Sequence, residues 1–367
     1  MEHTQTQEEH TQTQEALFDA IRRIVREADC APLPPELDPY FRRYVMLPGG
    51  DPQRFAACRV RSMNQQAALR ELAARFREEA IRFCPIKGAD LAWRVWPESI
   101  IRCQSDLDLW IHPEDFPKAI EAARRMGWEA PYSYRNDHHA PVMTRRGVSL
   151  ELHYRLPFSE TVPQTGLWAE LTPAGESEWR LPPELNLLML FHHSRRHHWN
   201  GLVKLLLDSA FLVAREGAPD WARMNGLAAR LRIAGPEMVF LAFPELFPAA
   251  AIPAASVPAE ALATFRSLAA IVPCGRERAA ERVMSDIDRF SLAWWKDRLR
   301  GLSPAGVRLT TRNPRGHYGR LALDWCRVFC RKWGWFWRWR HGTEDGELRR
   351  RLEAERRLET FFMERDF

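Results

Sequence analysis

Apolar positions recur every three to four residues along much of the chain, a spacing that predicts helices. Over 51–83, Phe55, Val60, Met63, Ala67, Leu69, Leu72 and Phe76 fall at helical spacing. Residues 16–28 read as a shorter amphipathic helix, followed by a proline-rich connector at 31–39. The pattern changes at 83–86, a short apolar run ending at Lys87-Gly88, as in a strand that meets a tight turn. Helical character returns at 89–96. Residues 105–111 then alternate, with Asp106, Asp108 and Trp110 on one side and Leu107, Leu109 and Ile111 on the other. A helix is predicted over 113–126, where Glu114 and Asp115 in the first turn and Arg124 and Arg125 in the last suit the helix dipole; Gly127 stops it. Strands are predicted at 128–132, 140–145 and 148–154. The last is the clearest, with Leu150, Leu152 and Tyr154 facing one way and Ser149, Glu151 and His153 the other. From 182 onward the period is helical, over 185–198, 201–215, 221–232, 236–246, 259–271 and 277–300.

The expected architecture is α+β, a small mixed β-sheet embedded in helices. Five regions follow. Residues 1–15 form a polar tail whose imperfect HTQTQE repeat predicts disorder. An N-terminal helical region occupies 16–80, the α/β core 81–160 and a helical domain 161–310. A basic Trp- and Arg-rich segment with a terminal helix fills 311–367.

Composition narrows the classes. With 46% hydrophobic and 28% charged residues the chain can build a packed core, which excludes collagen-like and disordered classes. The longest uncharged apolar run, 246–259, has 14 residues and three prolines, short of the ~18 that a membrane span needs. The N-terminus lacks the basic flank and apolar core of a secretory signal. Seven cysteines with no CxxC pair argue against a disulfide framework, so a cytoplasmic location is expected. The net charge is +5, but 312–340 alone carries +7, so the main body has no strong nucleic-acid signal. Only five of the 53 basic residues are lysines: Lys87, Lys118, Lys204, Lys296 and Lys332.

The chemistry centres on Asp106-Leu107-Asp108. Carboxylates two apart on a strand project from one face, and like charges so placed repel unless a cation lies between them. Oxygen ligands of this kind suit Mg²⁺ with substrate phosphates completing its shell. Alone, such a pair is more often a solvated face. Two companions strengthen it. Glu151 lies centrally in a second alternating strand, and three carboxylates from two strands can hold a pair of metal ions that clamp a phosphoryl group. Lys87-Gly88 offers a positive charge and a close backbone approach where a strand opens into a helix.

These motifs, together with Arg102 three residues before Ser105-Asp106-Leu107-Asp108 and the run Leu150-Glu151-Leu152-His153-Tyr154-Arg155-Leu156, resemble the uncharacterised bacterial nucleotidyltransferase family of the DNA-polymerase-β-like superfamily. The resemblance spans roughly 82–213, including the later helices with His193 and Asp208. It implies a small mixed sheet of the polymerase-β nucleotidyltransferase type, flanked by the N-terminal helical region and a large C-terminal helical domain. It implies that Asp106, Asp108 and Glu151 bind two Mg²⁺ and carry catalysis. Lys87, Gly88, Arg102 and Ser105 would bind the nucleotide. The reaction would move a nucleoside monophosphate from an NTP to an acceptor, a biosynthetic intermediate, metabolite or protein, and release pyrophosphate. Two alternatives stand beside it: an antitoxin-like enzyme that adenylylates a partner protein, and a vestigial nucleotide-binding or scaffold module.

His193 and His197 stand at i, i+4, a spacing that could hold zinc, although a structural or substrate-lining role is the simpler reading. His153 reads as orienting the site, and His139, His153, Arg155 and His193 as lining the acceptor pocket. The segment 325–340 holds five tryptophans among arginines. It suits an aromatic seam on the helical domain, peripheral contact with the inner membrane face, or stacking on single strands or sugars.

Overall fold

The computed structural model describes residues 52–97, 102, 104–130, 139–156, 162–197, 199, 201–247 and 257–270, with shorter pieces at 16, 19–24, 41, 353–355, 357–358 and 361–362. The expectations for 1–15, 277–300 and 325–340 lie outside the described residues.

Helix α1 (Pro52–Glu78) meets the core only with its C-terminal half. Leu72 and Phe76 are buried, whereas Val60 and Met63 are 57% and 61% exposed, so the stripe expected over 51–83 is covered at one end. The helix also stops sooner than the period implied. Ala80 turns the chain at a φ of 51° into β1 (Phe83–Ile86), whose four residues are all buried. Next come α2 (Gly88–Arg94), β2 (Asp106–Ile111) and α3 (Phe116–Arg125). The helix expected over 113–126 opens as a 3-10 turn at Pro113–Asp115, and its α-helical part has Pro117 in the first turn. β3 (Met143–Arg145) and β4 (Val148–His153) complete the main sheet. Of the strand expected at 128–132, Glu129 makes a single bridge to Thr144.

A short helix α4 (Gln164–Trp168) and a small hairpin, β5 (Thr172–Pro173) with β6 (Trp179–Arg180), precede the helical layer. Two-residue strands are too short to carry an alternation, so this hairpin left no signal in the sequence. It has a role, because Phe83 N donates to Ser177 O at 2.9 Å and Phe83 bridges Glu178, which covers the open edge of β1. The layer itself is α5 (Pro183–Arg196), α6 (Leu202–Glu216), α7 (Trp221–Leu231), α8 (Met238–Ala242) and α9 (Ala259–Ala270). The helix expected over 236–246 is cut after Ala242. Phe243 precedes Pro244, and a residue before proline is pushed out of the helical region; its ψ is 53°.

The sheet order is β1-β2-β4-β3, with β2 and β4 parallel at its centre and antiparallel strands on both sides. Its two faces do different things. Leu107, Leu109, Ile111, Val148, Leu150 and Leu152 pack with Leu72 and Phe76 of α1 and with Phe116, Ala119, Ala122 and Ala123 of α3. Each fully buried aliphatic side chain of this kind contributes roughly 1.5–3 kcal/mol. The opposite face turns towards the helical layer, where Cys84, Ile86 and Trp110 join a core with residues of α5, α6 and α7. α2 clasps the two halves: Asp90 pairs with Arg94 and accepts from Asn186 Nδ2 at 3.1 Å, and Arg94 also pairs with Glu216.

Pieces from both ends of the chain enter this second core. Ala20, Ile21, Ile24, Phe41, Leu358 and Phe362 are buried in it, and Phe362 packs on Phe191 and Trp199. Within the terminal helix expected in 311–367, Leu358 and Phe362 are buried. No helix among the described residues is long and apolar enough to cross a membrane.

Candidate active site

The pleat and the register bring two of the predicted acids, Asp108 and Glu151, side by side. Asp108 of β2 lies beside Glu151 of β4, Asp106 beside Ser149 and Trp110 beside His153. Because β2 and β4 are parallel and both bury their leucines on the far face, these polar residues share the near one. The donor atoms of Asp108, Glu151 and His153 all lie within 4.8 Å of one another, the one such group of three among the described residues. Asp106 stands one pleat away on the same face and is not in that group. Its carboxylate is hydrogen-bonded by Ser105.

Lys87 is placed by strain. It caps α2 at φ 52° and ψ −124°, a region where only glycine is at ease, and its ammonium reaches Asp108 Oδ1 at 2.8 Å. His153 Nε2 lies 2.9 Å from the same oxygen and 3.6 Å from Glu151 Oε2. Burial holds His153 down at about 4, so at neutral pH it is uncharged and its Nε2–H donates to Asp108. Burial alone would raise Asp108, but Lys87 and His153 hold its carboxyl well below the usual carboxylate range.

At Glu151 the Lys87 charge is outweighed. Burial and the Asp108 charge push this carboxyl up to about 8, and burial followed by Asp108 also raises Asp106. Two carboxylates and an imidazole within reach of one point are a donor set that fits a divalent cation. His153, read from the sequence as an orienting residue, is thus the hydrogen-bond partner of Asp108 and lies within the donor group, where its Nε2 could ligate a cation only by giving up that N–H bond.

The other predicted residues are distributed around this centre. His139 bridges His153 through the backbone, and its Nε2 is 3.8 Å from Glu151 Oε2. The Arg155 guanidinium lies 5.8 Å from the Tyr154 ring. The His193 ring packs 4.5 Å from His197, and burial, then the Lys87, His197 and Lys204 charges, keep it well below its ordinary value. Arg102 is almost wholly buried and forks onto Asp208 of α6 through Nε at 2.7 Å and Nη2 at 2.8 Å. Its Nη1, also buried, has no hydrogen-bond partner among the described residues.

Gly88 is required by close packing. A Cβ there would lie 2.2 Å from Gln104 Oε1 and 2.5 Å from Arg102 Nη1. Gly88→Ala should cost about 1–3 kcal/mol by forcing both side chains away. A melting curve checks this, and one that matches the wild type would show that the turn has room.

Sequence reasoning missed Lys204. It sits on α6 one turn before Asp208, and burial, then the nearby Arg102 charge, lower it to about 8. No ion pair or hydrogen bond to it is present among the described residues, and its charge, after that of Lys87, opposes the rise of Asp106. Its rarity was the available signal, one of five lysines in an arginine-rich chain. Lys87 and Lys204 thus bring two ammonium groups, one from the sheet and one from the helical layer, to the carboxylates of β2.

A family model described as an uncharacterised nucleotidyltransferase matches residues 52–247, more than half of the chain. The protein belongs to this nucleotidyltransferase family. No curated protein and no solved structure matches it. The matched span of the nucleotidyltransferase runs from α1 to the end of the 3-10 turn after α8. It therefore includes the acidic strands, the Lys87-Gly88 turn and the helix that carries Lys204 and Asp208.

Proposed function

We propose that the protein transfers a nucleoside monophosphate from an NTP to an acceptor hydroxyl and releases pyrophosphate. The observation that carries this reading is the side-by-side pairing of Asp108 and Glu151 on adjacent strands, with the Lys87 ammonium on Asp108. Asp106, Asp108 and Glu151, with His153 within reach, would hold divalent cations, for which Mg²⁺ as a pair is our assignment. Bound there, the cations would neutralise phosphoryl oxygens and align the reacting groups.

The chain's own residues account for the rest. Lys87 and Lys204 offer point charges to the phosphates, and the unpartnered Arg102 Nη1 faces the same turn. The acceptor oxygen attacks the α-phosphorus, a P–O bond forms, and the bond to the β-phosphate breaks with pyrophosphate as the leaving group. Glu151, ionised once cationic charge stands beside it, takes the acceptor's proton. His139 borders Glu151 from β4's far side and is our candidate for contact with the acceptor.

The antitoxin-like reading differs only in the acceptor, a partner protein's side chain. The Trp- and Arg-rich stretch 325–340 is the part of the chain suited to an anionic membrane surface. The test is pyrophosphate release with each of the four NTPs, Mg²⁺ or Mn²⁺, and host lysate as the acceptor source. Release that needs nucleotide, metal and lysate together supports transfer. No release with any NTP would favour a vestigial module.

A further inference from the structure

Asp208 takes no part in the transfer just described, yet it is among the most deeply buried charges in the chain, with 1% of its surface exposed. From α6 it accepts three hydrogen bonds: Arg102 Nε at 2.7 Å, Arg102 Nη2 at 2.8 Å and Trp96 Nε1 at 2.8 Å. Trp96 in turn packs on Phe211 of the same helix, with ring centroids 4.7 Å apart. One carboxylate of the helical layer therefore fixes two side chains from the segment that joins α2 to β2.

The guanidinium is planar and its three nitrogens are rigidly related. Once Asp208 holds Nε and Nη2, the direction of Nη1 is settled. That nitrogen is buried and unpartnered, and lies 2.5 Å from the point where a Cβ on Gly88 would stand. It is a charged donor beside the turn that carries Lys87. A tie that served stability alone would leave no reason to bury a third donor there without an acceptor, since an unpaired buried donor is costly.

We infer that Asp208 is a positioning residue that acts through Arg102, aiming Nη1 at the Lys87-Gly88 turn to receive a nucleotide phosphate oxygen while keeping the guanidinium off the metal-binding carboxylates. The inference rests on the nucleotidyl-transfer reading. Its second half follows from what else attracts Arg102: after Asp208, the negative charges acting on it are those of Asp108 and Asp106. With Asp208 neutralised, the guanidinium is drawn to these two and competes with a cation for them.

The test is binding to the full-length protein, so it needs neither the acceptor nor the preferred base. Mn²⁺ affinity is read by electron paramagnetic resonance, and inorganic tripolyphosphate affinity by calorimetry. Asp208→Asn should weaken both by about tenfold or more, the scale of one charge-assisted hydrogen bond. Asp208→Glu should restore part of each. Adding Arg102→Met to Asp208→Asn should return Mn²⁺ affinity to near the wild-type value and leave tripolyphosphate binding weak. Arg102→Lys, which keeps the charge opposite Asp208 but has no third nitrogen, should spare Mn²⁺ and weaken tripolyphosphate.

A lower melting temperature in Asp208→Asn with both affinities unchanged would make the pair a structural tie and overturn the inference. If that variant does not fold, unchanged tripolyphosphate binding in Arg102→Lys overturns it instead. A wild-type protein that binds neither probe removes the nucleotidyl-transfer reading itself, an outcome distinct from any difference among the variants.

Discussion

Asp108→Asn should abolish transfer, with a loss on the order of 10³ in turnover from removal of a charged cation ligand, and it should also destabilise the protein. The second effect is the informative one. Two aspartates two residues apart on a strand, taken alone, imply that removing one charge relieves repulsion and leaves the fold intact or slightly more stable. The structure moves the repulsion elsewhere. Asp108 is met by Lys87 at 2.8 Å and His153 at 2.9 Å, and its side chain is 4% exposed. An asparagine there leaves a largely buried ammonium without its counter-charge. Losing one partner of a buried pair costs about 3 kcal/mol, a fall in melting temperature on the order of 10 °C. The sign with pH follows from Asp108's lowered value. The stabilisation is present above the unfolded carboxyl value of about 4 and is lost as the pH falls through the lower folded value. The gap between wild type and variant should therefore narrow in acid. Equal melting curves at neutral pH would show that Lys87 is not held by Asp108.

Glu151→Gln should do the reverse to stability while also ending transfer. Burial and Asp108 raise the Glu151 carboxyl from 4.5 to about 8. Between those values the native state keeps a proton that the unfolded chain releases, so wild-type stability falls as the pH rises through that window. Glutamine cannot ionise. The variant should melt with the wild type near pH 5 and several degrees above it near pH 9, in metal-free buffer. Cation binding to the wild type at pH 7 should release close to one proton from Glu151, measured by calorimetry in two buffers of different ionisation enthalpy. The variant should release none. A wild type whose stability is flat from pH 5 to 9 would place Glu151 in an ordinary solvated setting.

Much of this site was legible in the sequence because its signals are local. Alternation in 105–111 and 148–154 fixed which residues of β2 and β4 share a face, and the sheet register then set Glu151 beside Asp108. The apolar run before Lys87-Gly88 located the turn. What could not be read was everything that depends on the third layer. Lys204 and Asp208 lie about a hundred residues beyond β2, on a helix whose period announces a core stripe; Asp208 stands out only as part of the family resemblance, without a partner, and Lys204 only for its rarity. The partner of Arg102 was equally invisible, since a lone arginine upstream of the acids gives no hint that it forks onto Asp208. His153 looked like a supporting residue because the period of two places it one step past Glu151. Only the parallel register, which sets it beside Trp110 and within reach of Asp108, brings it into the donor group. Val60 and Met63 mark the opposite limit. Helical spacing survives in the exposed half of α1, so periodicity alone overstated how much of that helix is buried.

The central claim is that the α-phosphoryl group of an NTP is retained on the acceptor and the rest departs. The direct measurement uses the same nucleotide labelled once at the α-phosphate and once at the γ-phosphate, with Mg²⁺ and host lysate, for wild type and Asp108→Asn. The account predicts that the α-label alone becomes fixed to a lysate component, that the γ-label appears in pyrophosphate, and that the variant fixes neither. Fixation of the γ-label would contradict it, as would α-label fixed equally well by Asp108→Asn.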